Sequence, residues 1–150
     1  MVKSLKGASS LMYGKYSTAK KSTYMSDGMA DSLGETQQVT LTEFSQMFAT
    51  GLTLVERITK ARVGDKTMMD AFVPAVISLR DSTQKEKDFL DSLKTAAEAA
   101  RNGAEATKDL VVRFGRAKNL GEKTLGHPEP GAISMALIFK GFYEELAERR

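Results

Sequence analysis

Apolar residues recur along most of this chain at helical rather than strand spacing. Phe44, Phe48, Leu52 and Val55 follow at steps of three and four, which places them on one face of a helix. Thr40 and Glu43 form the Thr-x-x-Glu pattern of a capping box ahead of that stripe, so the helix is predicted to begin there and to run to about residue 62. A second helix is predicted from Thr67, which can cap it, through the apolar run that ends at Leu79, with a kink at Pro74. A third covers about residues 84–114 and carries Phe89, Leu93, Ala96, Ala97, Ala100, Ala104, Leu110 and Val111. Its alanine-rich face suits close helix approach, and Asn102-Gly103 is its predicted bend. The last, over about residues 131–148, is apolar nearly all round until Glu144, the pattern of a helix enclosed by others, and Arg149 and Arg150 suit its negative end. Residues 2–24 also read as helical, weakened at Gly7 and Gly14, and residues 26–38 read as a polar loop. Five helices without an alternating run or an internal repeat predict an all-α, antiparallel helical bundle forming a single domain over residues 1–150.

Composition narrows the function classes. The chain has 150 residues, 41% hydrophobic and 27% charged, enough for a core of its own. It has no cysteine, which excludes disulfides, thiolate metal ligation and cysteine catalysis, and a reducing cytoplasm is the simplest home. The net charge of +3 comes from 22 basic and 19 acidic residues spread along the chain, so no stripe tracks a nucleic acid. The longest apolar stretch, residues 132–142, is interrupted and too short for a bilayer, and no signal peptide is seen.

Candidate chemistry gathers in three segments. Val63-Gly64-Asp65-Lys66-Thr67-Met68 is a glycine turn leading into a helix, which can offer backbone N–H groups to an anion or can simply start the helix. It lacks the spacing of a Walker loop. Residues 114–131 form a loop with several glycines and basic side chains, in which Arg116 can pair with phosphate through two hydrogen bonds. His127, the only histidine, has no partner histidine or carboxylate cluster in the sequence and is read as an exposed or hydrogen-bonding residue. The third segment, Lys6-Gly7-Ala8-Ser9-Ser10-Leu11-Met12-Tyr13-Gly14, offers small residues to a ligand or to a neighbouring helix.

Taken in order, Gly7-Ala8-Ser9, Gly64-Asp65-Lys66-Thr67-Met68 with Asp70, and Gly115-Arg116-Ala117, Leu120-Gly121-Glu122, Gly126-His127 and Pro130-Gly131-Ala132 resemble the ADP-binding (L) subunit of dihydroxyacetone kinase over nearly the whole chain. The last block, Gly-Arg-Ala-x-x-Leu-Gly-Glu-x-x-x-Gly-His-x-x-Pro-Gly-Ala, is the most specific. The resemblance implies an eight-helix barrel, here in incomplete form, that binds ADP or ATP between loops at its open end, with phosphates held through magnesium. It implies nucleotide contacts at Ala8, Ser9, Thr59, Met68, Arg116, Glu129, Pro130 and Gly131, with Met68 against the adenine and Arg116 offsetting phosphate charge. The partners it implies are the subunit that carries dihydroxyacetone and, in one branch, a multiphosphoryl carrier of the phosphotransferase system.

Departures qualify that picture. The family's magnesium ligands are aspartates of a Gly-Asp-x-Asp-His-Gly motif, and this sequence contains no such motif. Lys6, Ser10 and Leu11 replace a glycine, a glycine and a proline, Glu129 replaces an aspartate, and Thr59 stands where glycine is usual. Phosphoryl transfer depends on electrostatic stabilisation, so weak or absent activity is expected, from a fragment or a shortened paralogue. The alternative is a noncatalytic module that binds the kinase or phosphocarrier subunits. An incomplete barrel is also expected to leave an apolar flank exposed.

Overall fold

The computed structural model describes Met29 and residues 38–149, and the chain divides into two compact units, Met1–Lys60 and Ala61–Arg150. The described residues form four α-helices, α1 (Leu41–Ile58), α2 (Met69–Gln84), α3 (Phe89–Ala106) and α4 (Pro130–Glu148). Two 3-10 segments, Thr107–Asp109 and Arg116–Thr124, lie between α3 and α4. No strand occurs among the described residues, so the all-α class predicted from the periodicity is the class observed.

In the first unit the capping box forms as the sequence predicts. The Thr40 hydroxyl accepts the Glu43 N–H at 3.3 Å, and the Glu43 carboxylate accepts the Thr40 N–H at 2.8 Å. The Thr40 N–H foremost, and second the Thr40 hydroxyl, which donates to the same carboxylate oxygen at 2.8 Å, hold the exposed Glu43 carboxyl below its ordinary range. Phe44, Met47, Phe48, Gly51 and Val55 form the buried stripe, with the Phe44 and Phe48 rings 4.8 Å apart. Helix α1 ends at Ile58, short of the predicted residue 62, because the β-branched Thr59 turns extended at φ −130 while still donating to the Val55 carbonyl.

The second unit is built on α2, α3 and α4, with α3 packed on both of the others. Met69, Phe72, Val76 and Leu79 of α2 are buried with Leu93, Ala96 and Ala100 of α3 and Met135 and Phe139 of α4. Each large side chain among them contributes about 1.5–3 kcal/mol through burial. The single helix predicted over residues 84–114 is in fact two turns and a helix. Gln84 ends α2, and Glu86 takes a left-handed φ of 50. The Lys87 N–H then reaches back to the Ser82 carbonyl at 3.0 Å and the Glu86 N–H to Thr83 at 3.1 Å, a Schellman closure made without glycine. Asp88 caps α3 by accepting the N–H groups of Leu90 and Asp91. At the far end α3 stops at Ala106, so Leu110 and Val111 lie beyond it.

Helix α3 continues through Gly103, and a Cβ there would lie 1.9 Å from the Asp70 carbonyl oxygen of α2. Pro74, four residues after Asp70, has no N–H for that carbonyl, so the free side of the oxygen is where Gly103 fits. The Gly103 Cα then lies within about 3.4 Å of it, Cα–H···O range. Pro74 sits inside the helix that spans Met69–Gln84. Helix α4 is less enclosed than predicted. Ser134, Leu137, Lys140 and Glu144 recur at helical spacing on an exposed stripe, and Leu137 is 59% exposed.

Two outcomes follow from these contacts. Gly103→Ala destabilises the protein by about 3 kcal/mol in denaturant unfolding, since backbone must move, whereas the exposed Asn102→Ala changes it by less than about 0.5 kcal/mol. Thr40→Ala raises the Glu43 carboxyl part of the way to its ordinary range in an NMR titration, because the hydroxyl is lost while the Thr40 N–H, the larger cause, remains. Because the folded pKa is the depressed one, the stabilisation from this box is fully present above the ordinary glutamate range. It is lost as pH falls through the lowered value.

Candidate functional site

The turn into α2 is organised around a carboxylate. Gly64 and Lys66 both hold left-handed φ values, 98 and 58, which curl residues 64–67 around the start of the helix. Asp70, 3% exposed, accepts the Gly64 N–H at 2.6 Å on one oxygen and the Thr67 N–H at 2.7 Å on the other. The Thr67 hydroxyl accepts the Met69 N–H at 3.2 Å. Asp65 in turn accepts the Arg62 N–H at 2.8 Å. The anion read as a possible ligand of this turn is therefore the chain's own Asp70, favourably placed at the positive end of α2, and the amides of Gly64 and Thr67 are committed to it.

Between those residues stands Lys66, 4% exposed. Its ammonium donates to the carbonyls of Leu110 at 3.1 Å, Thr124 at 2.6 Å and His127 at 2.8 Å, using all three of its hydrogens. These acceptors lie at the two ends of the loop that joins α3 to α4. The loop is tied again where the Gly126 N–H donates to the Lys108 carbonyl at 2.9 Å and the Arg113 N–H to the Asp65 carbonyl at 3.3 Å. The Arg113 guanidinium also approaches the Asp65 carboxylate at 3.6 Å, a weak pair because Arg113 is 73% exposed.

The start of α4 closes the arrangement. Glu129 is the N-cap, accepting the Ala132 N–H at 2.7 Å, and Pro130 takes the first helical position, where its missing N–H is not needed. A Cβ at Gly131 would lie 2.9 Å from the Glu129 carboxylate, so the glycine makes room for this longer acid. The Glu129 N–H donates at 2.8 Å to the fully buried Thr107 hydroxyl, which itself donates to the Ala104 carbonyl at 2.5 Å. One hydroxyl thus joins the end of α3 to the start of α4.

Of the residues predicted to contact nucleotide, Ala8 and Ser9 lie outside the described residues, together with the whole third segment. Thr59 is the half-buried residue that ends α1 in the first unit. Met68, Arg116, Glu129, Pro130 and Gly131 all belong to the second unit. Met68 is 5% exposed at the start of α2, and Arg116 opens its 3-10 segment after Gly115 at φ 79. Lys66 and His127, joined by hydrogen bond, stand two residues before Met68 and Glu129 respectively, so the separate blocks meet through it. His127 itself is exposed and enters this arrangement by its carbonyl, not its imidazole. Sequence reading missed Lys66, Asp70 and Thr107 as organisers. Only Asp70 had a readable signal, because Thr67-x-x-Asp70 is itself a capping pattern. A surface depression lined by Val73, Pro74, Ile77, Lys85, Lys87 and Thr95 contains none of the predicted contacts.

Among the described residues no group of three or more histidine and acidic side chains converges as a metal site. Asp65 and Asp70, at the turn into α2, are engaged by backbone N–H groups. These residues do not form a magnesium ligand set. No helix among the described residues is long and apolar enough to cross a membrane.

A family model for the DAK2 domain matches residues 2–144. The chain belongs to this family. It is 40% identical over 104 residues to the PEP-dependent dihydroxyacetone kinase, ADP-binding subunit DhaL, of Escherichia coli strain K12, covering 69% of this chain and 50% of that one. It is 35% identical over 140 residues to the ADP-binding subunit DhaL of PEP-dependent dihydroxyacetone kinase 2 of Listeria innocua, 93% of this chain and 60% of the other. An L-erythrulose 1-kinase of Mycolicibacterium smegmatis is 43% identical over 98 residues, 64% of this DAK2 domain but 16% of the kinase. The chain thus spans about half the length of the DhaL subunits it matches.

The carboxylate at the root of this DAK2 domain's loop gives a direct test. Asp70→Ala leaves two short N–H contacts without an acceptor and lowers stability by about 3 kcal/mol, measured by denaturant unfolding.

Proposed function

We propose that this DAK2 domain is the nucleotide-binding component of a dihydroxyacetone (glycerone) kinase. It holds ADP or ATP for phosphoryl transfer to dihydroxyacetone carried by a partner subunit. The observation that carries this reading is the convergence on Lys66 of the segments bearing Met68, Arg116 and Glu129-Pro130-Gly131. Family membership and the printed function of the DhaL relatives support it. In this reading Met68 lies against the adenine, Ser9 meets phosphate or ribose oxygens, the Arg116 guanidinium offsets phosphate charge, and Ala8 and Thr59 are the further contacts that the family resemblance implies. The turn at Glu129 contributes backbone, since its carboxylate is spent as a helix cap.

The protein's own part in phosphoryl transfer is positioning and charge. A phosphocarrier subunit that recharges bound ADP is the further partner proposed, in keeping with the PEP-dependent relatives. We place residues 1–150 in one domain, an incomplete form of the helical barrel, and in the cytoplasm, which suits a cysteine-free chain. A second reading, a noncatalytic module that docks on the kinase or phosphocarrier subunits, is favoured by the exposed Phe114, Leu120 and Leu125 of the loop.

Calorimetric titration with ADP and with ATP, each with and without magnesium, separates the two. The nucleotide reading expects saturable binding, weakened in Arg116→Ala by about 1–3 kcal/mol, or roughly five- to 150-fold. An unchanged affinity in that variant removes Arg116 from the site. Absence of binding in every condition leaves the docking module, to be assayed by capture of the kinase subunits.

A further inference from the structure

We infer that Lys66 is the positioning residue of the loop over residues 110–127, setting the place of the Arg116 segment without touching the ligand itself. The nucleotide part of this inference rests on the function proposed above; the loop part does not.

A lysine that is 4% exposed is costly to retain, because its ammonium loses water and must recover every hydrogen bond inside the protein. Here the recovery is complete and specific. The three acceptors are main-chain carbonyls of the loop, one at its beginning and two at its end. The residue also holds a left-handed φ of 58, a conformation that glycine or asparagine adopts more easily, so the backbone is bent to aim this particular side chain. Backbone bonds at Arg113 and Gly126 tie the loop near its ends, and between them its backbone is permissive. Gly115, Gly121 and Gly126 all hold positive φ, Gly121 interrupts the 3-10 segment at φ 49, and Leu120 and Leu125 are 55% and 43% exposed. Its two ends are drawn to one point by the ammonium. Lys66 is two residues from Met68, so the same bonds fix the distance between the start of α2 and the loop that carries Arg116.

The test uses the full chain. Lys66→Met removes the donors, and Lys66→Arg keeps the charge but spreads its donors over a planar fork that cannot converge on one point. The sequence has no cysteine, so Lys66→Cys can be aminoethylated at a single site while unfolded, restoring an ammonium of nearly the same reach. Leu93→Ala, a core change in α3, serves as a control of lowered stability away from the loop. Amide hydrogen exchange of residues 110–127, without nucleotide, is compared with that of α3, and ADP titration with magnesium follows.

Exchange in the loop is expected to rise at least tenfold over the rise in α3 for Lys66→Met and Lys66→Arg. It returns to the original rate in the aminoethylated protein and stays in step with α3 in Leu93→Ala. ADP affinity is expected to fall tenfold or more in the Lys66 variants and to recover on aminoethylation. Should Lys66→Met not fold, Lys66→Arg and the aminoethylated chain give the same comparison. Loop exchange that tracks α3 in every folded variant overturns the inference. Loop loosening with unchanged ADP affinity overturns its nucleotide part. Failure of the unaltered protein to bind ADP overturns the proposed function instead, and the exchange result still decides the loop.

Discussion

Among the described residues no carboxylate pairs with the buried Lys66 ammonium, so neutral oxygens satisfy it, and each oxygen it claims is thereby fixed in space. Lys66 claims three, from Leu110, Thr124 and His127, residues separated from it by 44 to 61 positions. The path of the chain between α3 and α4 follows from that requirement. It leaves α3, passes Leu110, makes its excursion through the Arg116 segment and returns at Thr124 before reaching the Glu129 cap. Neutral acceptors to a cation give charge-assisted bonds, stronger than those that hold the rest of the loop. For a domain read as presenting charge to a nucleotide, this places rigidity behind the presenting segment while leaving its surface open.

Asp70 supplies the complementary constraint. Its carboxylate closes the turn at Gly64 and Thr67, and its carbonyl receives Gly103 of α3, unobstructed because Pro74 has no N–H to offer. The same residue therefore sets both the aim of the Lys66 turn and the closeness of α2 to α3. Thr107 does a similar service between α3 and α4, donating to Ala104 and accepting from Glu129. Three polar residues, all nearly or fully buried, thus link the helices of the second unit around the start of α2, the end of α3 and the start of α4.

Local signals were legible where they were complete within a few residues. The Thr40-Glu43 box and the stripe through Phe44, Phe48 and Val55 form as periodicity and capping predict. Long-range compensation was not legible. The break between α2 and α3 depends on Glu86 accepting a left-handed conformation that its residue type does not advertise, and on Asp88, a plausible cap hidden in a polar run. Gly103 and Pro74 looked like defects of single helices because their reason is each other: one lacks a side chain and the other a donor at the same carbonyl. The glycine turn before α2 has the geometry of an anion site, but which anion fills it depends on where Asp70 points.

The family was written in the order of short motifs, because residues that must meet a common ligand or a common turn keep their spacing within each block. Helical class was written in the apolar period for the same local reason. Only the folded chain decided which polar groups would meet. Lys66 reads as an ordinary surface lysine beside Asp65, and nothing within ten residues names its acceptors, which are backbone carbonyls with no side-chain signature. A hydrogen bond from one side chain to distant main chain leaves its mark on the sequence at one end alone, and its other end exists only in three dimensions.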